Sequence, residues 1–270
     1  MSNDTTNNKR TPTAGVGAKQ KNEPQPQGSG LNLPSAKGLF VTGTDTGVGK
    51  TLVAGAIAKI LSQKGKRVGV FKPVATGCKR TKEGLISKDA EFLKNCTNVK
   101  LGFEVINPVK FAKPAAPFAC EKAENKKVSI KKIAAAYEQI CRTSDFVIVE
   151  GIGGVKVPIT DKFDVIGLAK GFKLPVVVVA RSKLGTINHT LLTIDAIRRS
   201  GLLLAGVVIN GYDEKTEDFA EKTNARIIGK LGKVKILAIV PFDDRTNIKK
   251  VIISQKVLKS LKKVNWLKIK

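Results

Sequence analysis

The residues best suited to chemistry lie in a glycine-rich segment, residues 43–51, which reads Gly-Thr-Asp-Thr-Gly-Val-Gly-Lys-Thr. Small residues let the backbone curl around an anion, and the N–H groups at the start of a helix point towards it. Lys50 adds a mobile cation, and the Thr51 hydroxyl is suited to hold Mg²⁺. An apolar run precedes the segment and another follows it, so strand, loop and helix are consecutive. The segment therefore predicts a binding loop for a nucleoside triphosphate.

The spacing of this loop differs from the usual pattern. Five residues separate Gly43 from Gly49, whereas the common motif places four between its first glycine and the Gly-Lys pair. Thr44 stands where that first glycine would fall. The deviation restricts the choice of family.

Two further charged residues follow apolar strands. Lys72 precedes Pro73, which favours an extended backbone at the strand end. A second lysine beside a triphosphate would neutralise charge developing on the transferred phosphoryl group, although an ordinary surface lysine is an equal alternative. Glu150 ends the apolar run 146–149 and enters a glycine turn. That position is typical of a metal-holding carboxylate, the alternative being a capping or salt-bridged glutamate.

Other candidate residues are less specific. Asp89 has the spacing of an acid at a helix N-terminus. The segment 185–189 opens a helix, and such an N-terminus is suited to bind an anion such as a carboxylate. His189 is the sole histidine, and a cap or packing role fits it better than that of a base. Asn210 follows the run 207–209, where its amide could read a base edge or close a turn.

The elements that position these residues alternate along the chain. Short apolar runs predict strands at 39–42, 67–71, 145–149, 175–180, 203–209 and 235–240. Helical patterns fall at 50–64, 129–142, 187–200 and 215–228. Strands alternating with helices predict an α/β fold with a doubly wound, mostly parallel sheet of about seven strands and helices on both faces. Because ligands bind at the carboxyl ends of such strands, the polar loops should converge on one site.

Composition limits the classes of function. The chain has 270 residues and 42% hydrophobic residues, enough for one domain with a substantial core, and no apolar stretch long enough to span a bilayer. With no secretory signal and four widely spaced cysteines, we expect a cytoplasmic protein with reduced thiols. The net charge of +26 suggests an anionic partner. Its lysines are spread along the chain without a recognisable nucleic-acid-binding motif, so nucleic acid is the less favoured partner.

Three segments are expected. Residues 1–37 are polar and should be a disordered tail, and residues 38–245 should form the nucleotide-binding domain. Residues 246–270 contain eight lysines and no acid. They predict a helix packed on the same domain, because Val251, Ile252, Val257, Leu258 and Leu261 can share an apolar face.

Several separate motifs together resemble the dethiobiotin synthetase family of P-loop NTPases. They are residues 43–51, Lys-Pro-Val-Ala-Thr-Gly at 72–77, Asp89, Asn107-Pro108, Glu-Gly-Ile-Gly-Gly at 150–154, Lys-Leu-Gly-Thr-Ile-Asn-His at 183–189 and Asn210. The resemblance covers residues 38–244. It implies an ATP- and Mg²⁺-dependent reaction in biotin biosynthesis, in which 7,8-diaminononanoate takes up CO₂ as a carbamate, is phosphorylated, and closes to a cyclic urea.

The resemblance also implies roles for individual residues. The catalytic set is Thr46, Lys50 and Lys72. The ATP-binding set is Gly47, Val48, Gly49, Lys50, Thr51, Asn210 and Pro241. The Mg²⁺ ligands are Thr51, Asp89 and Glu150, and the substrate-binding set is Lys72, Thr76, Gly153, Gly185, Thr186, Ile187 and Asn188. The family forms homodimers, with the helix start at 185–188 supplied by the neighbouring subunit to bind the substrate carboxylate.

Two positions in this sequence depart from the pattern of the family. Thr76 replaces an expected serine, and Gly47 stands where some members carry glutamate.

Three other classes of protein are alternatives to this family. An amidotransferase-type ligase would need a further glutamine-hydrolysing domain. A partitioning or targeting ATPase carries an early loop lysine, at the position of Asp45 in this chain. A basic nucleic-acid-binding ATPase would be stimulated by polynucleotides.

Overall fold

The computed structural model describes residue 1 and residues 33–82 and 84–269. Most of the predicted tail, residues 1–37, therefore lies outside the described residues. Its last part is held in place, since Leu33 is buried in the core and Ala36 packs against it. Leu33 and Ala36, which were predicted to belong to the tail, thus pack with the domain.

The strands and helices follow the predicted alternation. The strands are β1 Gly38–Gly43, β2 Val68–Phe71, β3 Val74–Ala75, β4 Lys79–Thr81, β5 Gly84–Ile86, β6 Val109–Lys110, β7 Phe146–Gly154, β8 Val176–Arg181, β9 Leu204–Tyr212 and β10 Ile236–Pro241. The α-helices are α1 Lys50–Gln63, α2 Lys88–Asn95, α3 Phe103–Ile106, α4 Pro117–Ala123, α5 Ile130–Thr143, α6 Val165–Phe172, α7 Thr186–Arg199, α8 Phe219–Leu231 and α9 Gln255–Lys262.

The central sheet is parallel throughout and has the strand order β10-β9-β8-β1-β7-β2. Its six strands are those that the sequence predicts, and their number is close to the expected value of about seven. The chain leaves the sheet after β2, at Pro73, which has no N–H to donate to a ladder. The next residues, β3, pair instead with β6 in a separate two-stranded ladder.

The four predicted helices are present as α1, α5, α7 and α8. The last begins at Phe219 and not at residue 215, because the Asp218 side chain accepts from the N–H groups of Ala220 and Glu221 and so caps the helix. The short helices α2, α3, α4 and α6 were not among these patterns, and only the start of α2 was indicated, by Asp89 in its first turn. Two of them begin at clear caps, Ser87 for α2 and Asp164 for α6.

Alternate strand residues face two hydrophobic cores, one on each side of the sheet. On one side, Phe40 and Val178 pack with residues of α5, α6 and α7. On the other, Val41 and Val179 pack with residues of α1, α2 and α9. A sheet covered on both faces needs strands that are apolar at consecutive positions, as these are.

The lysine-rich C-terminal segment takes part in the second core. Val257, Leu258 and Leu261 of α9 are buried, and the buried Trp266 donates its ring N–H to the Leu261 carbonyl at 2.9 Å. Val251 and Ile252 do not lie on this helix, contrary to the predicted apolar face. Val251 has φ 57° in the turn before it, and Ile252 is 46% exposed.

The four cysteines are free thiols. None of Cys78, Cys96, Cys120 and Cys141 forms a disulfide. Burial raises the pKa of Cys96 to about 12, so its thiol is unreactive at neutral pH. Among the described residues, no helix has the length and hydropathy needed to cross a bilayer.

Candidate active site

Residues 43–51 form a loop between the carboxyl end of β1 and the first turn of α1. Gly47 and Gly49 have φ angles of 76° and 94°, which glycine adopts at little cost. A Cβ at Gly49 would lie 2.1 Å from the Asn210 amide nitrogen, so only glycine fits there. The first-turn N–H groups of α1 open onto this loop, and the turn contains no acidic residue. The loop therefore has the shape and polarity of an anion site.

Lys50 lies beside the loop with its stem buried. Its ammonium donates to the Asp45 carbonyl at 2.8 Å, across the turn. Burial, followed by the nearby charge of Lys72, lowers the pKa of Lys50 to about 8. The group is still mostly protonated at neutral pH and is placed to meet a phosphate.

Lys72, Glu150 and Asp89 form a charged cluster opposite the loop. The Lys72 ammonium donates to Glu150 Oε1 at 2.7 Å and to the Gly151 carbonyl at 3.0 Å, and lies 2.9 Å from Asp89 Oδ2. Lys72 and Glu150 are almost completely buried, while the Asp89 side chain is 43% exposed. Burial opposes the charged form of Lys72, but the two carboxylates outweigh it and raise its pKa.

Thr51 joins this cluster to the loop. Its hydroxyl donates to Glu150 Oε1 at 2.9 Å. The positive charge of Lys72 is the main cause that lowers the pKa of Asp89, with opposing burial next. Loop, lysine and carboxylates are thus connected in one network, as the sequence predicts from the convergence of strand ends.

The donor set fits a divalent cation that prefers oxygen. Glu150 Oε2 is buried and has no hydrogen-bond partner, so a ligand for it is missing. The Thr51 hydroxyl and the Asp89 carboxylate lie on the same cleft. No group of three or more His, Cys, Asp or Glu side chains that could hold a metal occurs in residues 33–82 or 84–269. Two carboxylates and a hydroxyl suit Mg²⁺, which keeps several waters and phosphate oxygens as ligands.

These residues line a cleft of about 610 Å³. The predicted site residues on its wall are Thr46, Gly47, Gly49, Lys50, Thr51, Lys72, Thr76, Asp89, Glu150 and Gly153. The other lining residues are Ile152, which lies in the predicted motif 150–154, and five that were not predicted, namely Pro114, Ala115, Ala116, Val157 and Ile248. The run Pro-Ala-Ala-Pro at 114–117, with proline at the first position of α4, was an available signal for the first three.

The residues predicted to contact the base lie outside this cleft. Asn210 lies near the carboxyl end of β9 and donates its amide to the Val48 carbonyl at 3.0 Å, while its Oδ1 is buried without a partner. The Val48 side chain is buried in the core, which leaves only its backbone for a ligand. Pro241 ends β10, beside β9 in the sheet. Their role in base binding stays a prediction.

The predicted carboxylate-binding residues are also separate from the cleft. Gly185 is the N-cap of α7 with φ 89°. Thr186 is buried and Asn188 exposed, and the loop residue Leu184 is 80% exposed. A second cleft of about 420 Å³ lies along α7 and reaches Asp45, with His189 on its wall. Within one chain, the start of α7 therefore does not meet Lys72.

The fold and site together define a P-loop nucleotide-binding enzyme, and the family described as an AAA domain matches residues 37–250. ATP-dependent dethiobiotin synthetases BioD of Methanococcus vannielii and Thermodesulfovibrio yellowstonii are 41% and 36% identical, covering 75% and 79% of this chain and 92% of each relative. The BioD protein of Bacillus subtilis is 38% identical, and the match covers 76% of this chain and 87% of the length of that relative. The chain belongs to the dethiobiotin synthetase family.

Solved structures that share the fold include two cell-division proteins. The septum site-determining protein MinD of Pyrococcus horikoshii, complexed with Mg-ADP, has a TM-score of 0.53 and 14% identity, covering 84% of this chain and 93% of its own. A MinC:MinD complex of Aquifex aeolicus has a TM-score of 0.53 and 14% identity, covering 80% and 86%. At this identity the likeness concerns the fold alone.

Proposed function

We propose that the enzyme converts 7,8-diaminononanoate, CO₂ and ATP into dethiobiotin, ADP and phosphate. The observation that carries this proposal is the cluster of Lys72, Asp89 and Glu150 facing a phosphate-type loop across one cleft. The dethiobiotin synthetases at 36–41% identity support the choice of substrate. The same proposal places the enzyme in the cytoplasm, where unpaired thiols such as these are kept reduced.

Each group has a chemical task in this reaction. One substrate amine takes up CO₂ as a carbamate and releases a proton. The carbamate oxygen attacks the γ-phosphoryl group of ATP, and ADP leaves. The second amine then attacks the carbonyl carbon of the resulting carbamic-phosphoric anhydride, phosphate leaves, and the ring closes. Lys50 and Lys72, with Thr46, offset the negative charge of the carbamate and of the phosphoryl group in transfer. Thr76 and Gly153 on the cleft wall orient the diamine.

Nucleotide binding falls to the loop and to the ends of two strands. The backbone of Gly47, Val48 and Gly49 faces the phosphates, and Asn210 and Pro241 face the base. Thr51, Asp89 and Glu150 would hold Mg²⁺, which when bound neutralises phosphate charge. The unpartnered Glu150 Oε2 supports this assignment.

The requirement for all substrates provides the direct test. Phosphate release by the purified protein should need diaminononanoate, bicarbonate and Mg²⁺ together, and equal release without the diamine would refute the proposal. Lys50→Ala should abolish turnover while keeping the fold. Glu150→Ala should also abolish turnover, and it should lower stability because it removes the nearer carboxylate partner of the buried Lys72. Lys64→Ala is the matched control and should retain full activity, because Lys64 is an exposed lysine just after α1, the helix that begins at Lys50.

We also propose that two copies form a homodimer in which the start of α7, residues 185–188, binds the carboxylate of the substrate held by the partner. Its separation from Lys72 within one chain and the exposed Leu184 and Leu192 support this arrangement. Mixing Lys50→Ala with a Gly185→Glu variant should restore activity that neither has alone, because each mixed dimer contains one intact site. A monomer in light scattering, or no restoration, would contradict it.

A partitioning ATPase is the second candidate that an observation favours, since its fold is shared. The early lysine of that class is absent, and Asp45 at its place pairs with Arg181 at 2.9 Å. Phosphate release that depends on polymer or partner and not on the diamine would favour it.

A further inference from the structure

Asn107 is a buried polar residue that the proposed reaction does not use. It follows α3 directly and is 1% exposed. A side-chain amide in such a place must find hydrogen-bond partners, because burying it without them is costly. Its partners therefore indicate what the residue does.

Both partners of the Asn107 amide nitrogen are backbone carbonyls. Nδ2 donates to the Lys72 carbonyl at 2.6 Å and to the Val109 carbonyl at 3.2 Å. Only the NH₂ end of a carboxamide can donate, so these acceptors fix its orientation. The opposite atom, Oδ1, is buried without a partner. The hydrogen bonds of the Asn107 side chain are thus all made by its donor end, on the backbone of Lys72 and Val109.

The Lys72 backbone is held from both sides by the same short segment. Its N–H donates to the Ile106 carbonyl at 2.8 Å, and its carbonyl accepts from Asn107. The next residue is Pro73, which has no N–H and begins the departure from the central sheet. The regular ladder of β2 therefore ends at Phe71, and residues 106–107 fix the position of Lys72 beyond it.

The contacts of the Lys72 side chain depend on the position of the Lys72 backbone. Its ammonium meets two carboxylates and one carbonyl at 2.7–3.0 Å. Hydrogen bonds weaken steeply beyond such distances, so a small backbone shift would break this arrangement. Catalytic groups are sensitive to displacements of about 1 Å, which cost roughly 100-fold in rate.

We propose that Asn107 is a positioning residue for Lys72: its side-chain amide holds the Lys72 backbone so that the ammonium stays between Glu150 and Asp89 on the cleft. The importance of this position for catalysis rests on the proposed function. The effect of Asn107 on the location of the Lys72 side chain does not depend on it.

Asn107→Asp is the sharpest variant, because it keeps the shape and replaces the donor with a second acceptor facing the two carbonyls. Asn107→Ala serves if that variant fails to fold. The matched control is Asn95→Asp, since Asn95 also donates its amide to a backbone carbonyl, that of Glu91 at 2.9 Å, but on the exposed face of α2. Activity is expressed per nucleotide-binding site, so that unfolded protein does not count.

We expect the Asn107 variants to lose about 100-fold in kcat. The Kd for ATP should stay within twofold, because the loop at 43–51 is untouched, and Asn95→Asp should match the wild type. In a Lys72→Met background, Asn107→Asp should cause no further loss of residual turnover. An unchanged kcat, or an equal further loss in that background, would overturn the proposal.

A second measurement is independent of the reaction. Acetic anhydride labelling followed by mass spectrometry reports the exposure of each lysine, and Lys72 should be labelled slowly in the wild type because it is 2% exposed. In the Asn107 variants its labelling should accelerate at least tenfold, with the exposed Lys79 unchanged. No acceleration would refute the positioning role. A wild type inactive with diaminononanoate, but showing this acceleration in its variants, would refute only the proposed function.

Discussion

At the scale of single residues, the site is built from charges that depend on one another. Glu150 is completely buried, and its partner in the present arrangement is the equally buried Lys72. Removing Lys72 would cost about 3–5 kcal/mol, because Glu150 would be left as an uncompensated buried charge. The same carboxylate has a second oxygen without a partner, so it can serve Lys72 and a cation at once.

Gly49 gives a residue-scale prediction. Gly49→Ala places a methyl group on the Asn210 amide and imposes a positive φ that costs about 1–2 kcal/mol for alanine. The loop must distort to relieve both, so the affinity for ATP should fall at least 100-fold. Isothermal titration calorimetry on the folded variant measures this.

Gly47→Ala is the control for that experiment. Gly47 also has a positive φ, but no atom lies within 4 Å of where its Cβ would stand. Its affinity for ATP should therefore fall by about 30-fold at most, which corresponds to about 2 kcal/mol of backbone strain alone. Equal losses in the two variants would show that the contact with Asn210 is unimportant.

At the scale of elements, the sequence predicted the frame and the loops that carry the chemistry. Consecutive β-branched residues identify the six buried strands, and glycine with lysine identifies the loop before α1. The connections between distant segments could not be predicted, because nothing local encodes them. The amide of Asn107 on the Lys72 carbonyl and that of Asn210 on Val48 join residues far apart in sequence. The ranges of the short helices were not predicted because each has only four to eight residues, too few to show a clear helical period.

The C-terminal helix gives a prediction at this scale. Leu258 of α9 is 2% exposed in the core that α9 shares with α1. Leu258→Ala should destabilise the protein by about 2–5 kcal/mol, the usual cost of such a cavity. Urea unfolding measures it. Lys259→Ala, on the exposed face of the same helix, should change stability by about 0.5 kcal/mol or less, and equal effects would argue against packing of α9.

At the scale of the whole molecule, the two ends of the strands have different roles. The loops at the carboxyl ends form the cleft, while residues at the amino ends make structural contacts. There Arg67, which precedes β2, donates to both oxygens of Asp145, which precedes β7. The Arg67 side-chain hydrogen bond is the main cause that lowers the pKa of Asp145 to about 2.

This pair makes the stability of the molecule depend on pH. The folded pKa lies below the ordinary value of about 3.9, so the contribution is complete above that value and is lost as the pH falls through about 2. Asp145→Asn should therefore lose less stability than the wild type between pH 5 and pH 2.5, measured by urea unfolding. Asp161→Asn, in an exposed loop, is the control and should follow the wild type. Parallel curves for all three would contradict the assignment.

The central place of β1 has a consequence for synthesis on the ribosome. Its neighbours in the sheet are β7 and β8, through pairs such as Gly38 with Val147 and Phe40 with Val176. A nascent chain that has emerged only as far as α5 carries the whole phosphate-binding loop but neither strand that supports it. Because such long-range pairing forms late, ATP binding should first arise once β8 has left the exit tunnel. Nucleotide capture would then mark the completion of the sheet.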